Sequence, residues 1–350
     1  MIKFVSWNIL CPAYAGPNVY FETDPKYLNP FWRFELIKSR LKVHINTGLT
    51  VFALQEVSQD WFNDLLVFFD QNNYTLIGSN YGNAKSHYMG VALAIPRSME
   101  LLKVDVTKCT DTYDFSEDEA FDDVGVDKSG WYDSAIKAVN SVFGWKTEKP
   151  FDLLAELKEK HNRIVSVLLK NGNRRFVVSN YHMPCIFEHQ DFMTCHSAMA
   201  LLHVQRFAET CGKVPYVFMG DFNMKFSDNA YLNFTFKREC RLARIKDALP
   251  EKCSRLSVSL QKTDTVNDAF YIAKYVTTPG YTCNSKVRWF KDGGKTINEF
   301  RDTVDHIFVS LHWYVESATV DGRSGTLEYQ PNEVEPSDHC LIYAEMNIRD

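Results

Sequence analysis

Six short polar signatures sit beside strand-like apolar runs, spread from one end of the 350-residue chain to the other. They are SWNIL around Asn8, LQEV with Glu56, NYHMP with Asn180 and His182, GDFN with Asp221 and Asn223, TVDHIFV with Asp305, and PSDHC with Asp338 and His339. A carboxylate or imidazole beside a hydrophobic run is costly unless it is paired, hydrogen-bonded or bound to metal. Six such breaches in one chain point to a single convergent site. A hard divalent cation, a charged His–Asp pair and amide donors are what this set can assemble. That is the equipment for attacking a phosphate ester with water.

Each signature suits a role. Glu56 ends a buried strand, where a carboxylate has little structural reason to stand, so it is expected to ligate Mg2+ or Mn2+, with Asn8 and Asp338 as further ligands or supports. In GDFN, Gly220 permits close backbone approach, Asp221 can orient or deprotonate a water, and the Asn223 amide can reach a phosphoryl oxygen. A strand-ending turn favours the same letters, and the company of the other signatures decides for chemistry. A carboxylate such as Asp305 against one nitrogen of His339 would fix the tautomer and favour the charged imidazole, ready to stabilise developing charge. His306 falls on the opposite strand face and reads as structural. His182 is a second candidate acid. Asn180, two residues back on the same face, is expected to share its phosphate contact. The stretch 283–295, CNSKVRWFKDGGK, mixes cations with aromatics. Arg288 and Trp289 there suit the phosphates and bases of a single strand, although an ordinary exposed loop has the same composition. Tyr14, Tyr281 and His87 are lesser candidates.

These residues need elements to hold them. Apolar runs at 2–10, 49–57, 74–80 and 88–96 read as strands, and 31–45 and 60–71 as amphipathic helices. Residues 108–152 break the alternation with eight carboxylates between Asp111 and Asp127, then WYDSAIKAVNSVFGW, a helix by its spacing. The acidic stretch reads as a solvated insertion, or as a lid whose charge would repel polyanions. HNRIVSVLLKNGNRRFVVSNYHMP is a hairpin turning at Asn-Gly. A helix over about 190–211, a buried strand ending in GDFN, and strands at 280–284, 302–310, 314–320 and 339–347 complete the chain.

Composition narrows the class. With 45% hydrophobic and 24% charged residues the chain is an ordinary globular protein, and it has no apolar run of 18 residues and no cationic leader. A soluble, cytoplasmic protein without a membrane partner is expected. Nine dispersed cysteines without a CxxC pair argue for reduced thiols. A net charge of −5 excludes a protein that coats duplex nucleic acid, and leaves small phosphorylated molecules or locally held single strands.

Taken in order, the motifs resemble the endonuclease/exonuclease/phosphatase superfamily: WN at 7–8, QE at 55–56, NxH at 180–182, GDFN at 220–223, D-x-I at 305–307 and SDH at 337–339. The resemblance implies a deoxyribonuclease I-like α/β fold, a four-layer sandwich of two largely antiparallel sheets flanked by helices, as one catalytic domain over 1–350. It also implies metal at Glu56 with Asn8 and Asp338 nearby, Asp221 on the attacking water, Asn223 on the phosphate, Asp305 orienting His339, and His182 as the other site histidine. NILCPAYA, the following FWRFELI and NRIVSVLL are similar to the deadenylase, nocturnin and 2′,5′-phosphodiesterase branch. NYHMP in place of that branch's Asn-Thr-His-Leu, the acidic insertion and the long 283–295 segment depart from it. Three readings follow: a Mg2+- or Mn2+-dependent phosphodiesterase on single-stranded RNA or oligonucleotides, a phosphatase or phosphodiesterase on a small nucleotide or inositol phosphate, and a non-catalytic binding protein of the same fold.

Overall fold

In the computed structural model, residues 1–114, 152–235, 264–277, 280–291, 294–321 and 328–349 are described. Most of the acidic insertion, its following helix at 131–145 and the region 236–263 lie outside them. The strands are β1 (Ile2–Asn8), β2 (Thr50–Val57), β3 (Tyr74–Asn80), β4 (Gly90–Pro96), β5 (Glu100–Lys108), β6 (Arg163–Asn171), β7 (Arg174–His182), β8 (Tyr216–Asp221), β9 (Asn267–Asp268), β10 (Tyr275–Thr277), β11 (Cys283–Lys291), β12 (Gly294–Asp302), β13 (Asp305–Val309), β14 (Trp313–Asp321) and β15 (Leu341–Ile348). One sheet runs β10-β14-β15-β1-β2-β4-β3, the other β5-β6-β7-β8-β13-β9, and β11 pairs with β12 as a separate ribbon. Both large sheets are mixed. The parallel pairs are β1–β2, β10–β14 and β7–β8.

Alternation along each strand sets the layers. In β1, Ile2 and Phe4 join the core between the sheets, while Val5 and Trp7 face outward. Phe4, Phe176 and Trp313 meet edge to face between the sheets with centroids 5.3–6.1 Å apart, each pair adding about 0.5–1.5 kcal/mol beyond area burial. Helix α1 (Pro30–Asn46) has Pro30 at its first position, and the Asn29 side chain accepts from Phe31 and Trp32 N–H. It covers the outer face of the seven-stranded sheet through Phe34, Ile37 and Leu41, beside Trp61, Leu65 and Phe69 of α2 (Gln59–Gln71). The short α3 (Leu153–Glu159) and the largely buried α4 (Gln190–Thr210) cover the six-stranded sheet. The order is helix, sheet, sheet, helix.

The structure departs from expectation at two places. The segment at 283–295 is no exposed loop: β11 and β12 form a regular antiparallel ribbon from Cys283↔Asp302 to Lys291↔Gly294. The edge strand β5 was not expected from sequence, and its apolar residues Leu101, Leu102, Val104 and Val106 are exposed. No disulfide joins the described cysteines. Among the described residues no helix is long and apolar enough to cross a membrane.

Candidate active site

The layer between the sheets opens at one margin, and there the strand ends deliver the polar signatures. In β7, β8 and β13 three of them stand in one row: His182 is the register partner of Asp221, and Asp221 of Asp305. The parallel β7–β8 pair brings two strand ends together, and the antiparallel β13 brings its start. Gly220 is required one step back, because a Cβ there would lie 1.9 Å from the Tyr181 carbonyl oxygen. On the facing sheet, Asn8 and Gln55 are partners across β1 and β2. Glu56 sits in a bulge where the β2–β4 register shifts, with φ of 57°. Leu10 and Asn223 are also left-handed, at 53° and 48°. Non-glycine residues held there cost of order 1–3 kcal/mol each, and such strain collects at functional sites.

One carboxylate oxygen gathers the site. Asp221 Oδ2 accepts from Asn8 Nδ2 at 2.9 Å and lies 3.6 Å from His182 Nε2 and 3.7 Å from His339 Nε2. The same Asn8 amide donates to Glu56 Oε1 at 3.0 Å, and Cys11 N–H holds Glu56 Oε2 at 2.8 Å. Glu56 and Asp221, 165 positions apart in sequence, are thus linked through a single side chain. Asn223 N–H donates to Asp221 Oδ1 at 2.9 Å, and its Nδ2 donates to the Met183 carbonyl at 2.8 Å.

His339 Nδ1 pairs with Asp305 Oδ2 at 2.8 Å, both side chains buried. Burial works against charge on this imidazole, but its acidic neighbours, Asp305 first and then Cys283, Asp221 and Asp338, outweigh it and hold His339 well above its ordinary range. The His339 loop is stapled to β1: Ser337 Oγ donates to the Asn8 carbonyl at 2.7 Å, and Trp7 Nε1 to the His339 carbonyl at 2.9 Å. His182 Nδ1 meets the Tyr81 hydroxyl at 2.9 Å, leaving Nε2 toward Asp221. Tyr20 donates to Asp338 Oδ2 at 2.8 Å.

These groups line a cleft of about 830 Å³ whose walls include Tyr14, Tyr81, Phe187 and Phe300. Among the described lining residues are four carboxylates (Glu56, Glu159, Asp221 and Asp338) and two lysines (Lys85 and Lys160). Asp338 Oδ1 is buried without a hydrogen-bond donor. An excess of oxygen anions, one of them lacking any donor, fits a hard divalent cation.

Not every residue singled out from sequence joins the cluster. Asn180 is fully buried: Nδ2 donates to the Leu54 and Ala92 carbonyls at 2.9 and 2.8 Å, and Oδ1 accepts from Gln55 Nε2 at 2.8 Å. With those contacts made inside the core, it clips the two sheets together and does not face a phosphate. Asn8 turns its NH2 to the two carboxylates and its oxygen to Leu10 N–H at 3.0 Å, so in this arrangement it braces the carboxylates. In β11, Cys283, Ser285 and Val287 line the cleft, whereas Arg288 stacks on Phe21 at 4.1 Å outside it. The side chain of Trp289 lies outside the described residues. His306, as expected, is turned away, with Nδ1 2.9 Å from Asp268 and Nε2 2.9 Å from the Met224 carbonyl. Of the lesser candidates, Tyr14 lines the cleft, while His87 and Tyr281 are not among its lining residues.

Several supporting residues had no motif to announce them. Tyr20 and Tyr81 act from loops, and Gln55, although part of the QE motif, acts from the strand interior rather than at the site. Arg33, wholly buried in α1, donates to the Ile9 carbonyl at 2.8 Å, the Pro336 carbonyl at 2.6 Å and the Leu10 carbonyl, tying together the loops that carry Asn8 and Asp338.

Residues 5–339 match the model of the endonuclease/exonuclease/phosphatase family. The chain belongs to this family. It is a phosphoester hydrolase, and its buried Asp–His cluster is consistent with a metal site. Among solved structures it is similar to ANGEL2, a 2′,3′-cyclic phosphatase, in complex with adenosine-2′,3′-vanadate (TM-score 0.65, 16% identity, 99% of this chain and 96% of that one). It is also similar to the human nocturnin catalytic domain with bound sulfate (0.58, 16%, 99% and 94%). A third likeness is to a mannosyl-6-phosphatase of Bacteroides thetaiotaomicron (0.56, 16%, 99% and 100%). At such identities the likeness is one of fold. A comparison with curated proteins returns no match.

Proposed function

We propose that the chain is a Mg2+- or Mn2+-dependent phosphodiesterase acting on single-stranded RNA or oligonucleotides, in the deadenylase-like branch of its family. The observation that carries this is the convergence on Asp221 Oδ2 of Asn8, His182 and His339 inside an aromatic-walled cleft. Asp221 takes the proton of the attacking water, and Asn223 N–H fixes that carboxylate through its other oxygen. His339, kept charged by Asp305, donates from Nε2 to a non-bridging phosphoryl oxygen. His182, oriented by Tyr81, protonates the leaving oxygen. Glu56 and Asp338 would hold the divalent ion, which draws charge from the phosphoryl oxygens.

Charge and wall composition favour the substrate class. An inositol polyphosphate brings several phosphates, and the described walls provide two lysines and the charged His339 against four carboxylates. Tyr14, Tyr81, Phe187 and Phe300 suit nucleobases, and Phe187 and Phe300 already stack with centroids 5.9 Å apart. The ANGEL2 likeness supports a second reading, a small nucleotide such as a nucleoside 2′,3′-cyclic phosphate.

The test is a panel with Mg2+: oligo(A), mixed-sequence single strands, a 2′,3′-cyclic nucleotide, an inositol phosphate and a sugar 6-phosphate. Single strands are expected to have the highest kcat/KM. Preference for the cyclic nucleotide selects the second reading, and preference for the inositol or sugar phosphate overturns both.

A further inference from the structure

The hydrolytic reading leaves the thiol of Cys283 unused. Cys283 opens β11 with its thiol in the cleft wall, and its Sγ lies within 4.8 Å of ligand atoms of Asp338 and His339. We propose that Cys283, Asp338 and His339 form a second metal site, selective for thiophilic cations such as Zn2+ and Cd2+, which inhibits the enzyme when filled. The inhibitory effect rests on the roles given above to His339 and Asp338; the binding does not.

The donor set decides the selectivity. Sulfur, imidazole nitrogen and a carboxylate oxygen are a zinc set, whereas Mg2+ does not take a thiolate from water. His339 is already oriented for it: Asp305 holds Nδ1 at 2.8 Å and leaves Nε2 toward the cleft, the carboxylate–histidine support common behind zinc ligands. Tyr20 holds one oxygen of Asp338, and the other is buried without a donor.

The backbone fixes the spacing. Cys283 and His339 face each other across an antiparallel bridge, with Asn284 N–H on the Asp338 carbonyl at 2.9 Å and Cys340 N–H on the Thr282 carbonyl at 2.7 Å to either side. A tetrahedral zinc holds neighbouring ligand atoms roughly 3.5 Å apart, so closing from 4.8 Å asks only side-chain rotation. On binding, the thiol proton and the Nε2 proton of the charged His339 both leave to solvent, and the thiolate, Nε2 and a carboxylate oxygen bond the ion. Nε2 can then no longer donate to a phosphoryl oxygen, and Asp338 is withdrawn from the Mg2+ set. A fourth position is left for water.

The experiment titrates Zn2+ into the Mg2+-activated enzyme and, separately, Cd2+ into the protein without substrate, following the ultraviolet thiolate-to-cadmium charge-transfer band. Cys283→Ser should keep wild-type turnover in Mg2+, lose the band contributed at this site and raise the inhibitory Zn2+ concentration by roughly tenfold or more. Cys185→Ser, at the other cleft thiol, should change neither. Cys283→Ala repeats the test should the serine variant fold poorly. Equal Zn2+ inhibition and an undiminished Cd2+ band in both Cys283 variants overturn the proposal. A protein that hydrolyses nothing yet loses its Cd2+ band in Cys283→Ser refutes the hydrolytic reading and leaves this site standing.

Discussion

Replacing Asn180 by alanine separates a residue that holds the fold from one that touches substrate. Its side chain is fully buried and makes three hydrogen bonds of 2.8–2.9 Å, to the Leu54 and Ala92 carbonyls and from Gln55 Nε2. At about 1 kcal/mol net for each, the variant should lose about 3 kcal/mol of unfolding free energy. Gln55 keeps other acceptors in Ser6 Oγ and the Ala53 carbonyl, both at 3.2 Å, which limits the damage at that end. Asn180→Asp keeps the shape but sets an acceptor-only group against two carbonyls, so it should be the worse variant. The assay is urea denaturation at constant slope, together with kcat and KM on a single-stranded oligonucleotide. A staple predicts a lowered midpoint with KM within about twofold of wild type. A midpoint unchanged to about 0.5 kcal/mol, together with a KM raised about tenfold, would refute the reasoning and return Asn180 to the phosphate.

Three further perturbations address the site and its support. Asp305→Asn removes the charge behind His339 and should lower kcat roughly 10²–10⁴-fold with circular dichroism unchanged; turnover within about threefold of wild type would contradict that role. Glu56→Gln should weaken Mn2+ binding roughly 10–100-fold by calorimetry, and undiminished affinity removes Glu56 from the metal set. Burial, with Lys160 adding, pushes His196 down from 6.5 to about 3, so the folded protein keeps it neutral while the unfolded chain protonates it. Its contribution is fully present above about pH 6.5 and is lost toward pH 3 at about 1.4 kcal/mol per pH unit. His196→Phe should therefore flatten the acid limb of urea midpoint against pH, and an unaltered limb rejects the assignment.

What could be read from sequence follows from where each residue spends its polarity. Glu56, Asp221, Asp305 and His339 stand at the margin, where a buried run ends in a charge, and that contrast is visible in the letters alone. Asn180 shares the strand face of His182, and period-two reasoning therefore gave both a phosphate. Two residues, however, separate the packed interior from the open rim, and only the depth of the facing sheet tells them apart. The ribbon β11–β12 escaped because a two-stranded ribbon outside the large sheets need not bury one whole face, leaving its apolar pattern weak. Tyr20, Tyr81 and Arg33 act across 318, 101 and 303 positions of sequence, on Asp338, His182 and the Pro336 carbonyl respectively. Nothing local marks such partners. The strands and helices themselves, by contrast, were legible, since buried strands and amphipathic helices state their own periods; their helix–sheet–sheet–helix layering came from the order of the motifs and the resemblance it carries.

The central claim is that Asp221, held between Asn8, His182 and His339, drives water onto phosphorus. Single-turnover hydrolysis of a single-stranded oligonucleotide with Mg2+, by wild type and by Asp221→Asn at matched metal occupancy, tests it most directly. Wild type should cleave, and the variant should be slower by roughly a thousandfold or more with its fold retained. Cleavage by Asp221→Asn at the wild-type rate would contradict the account.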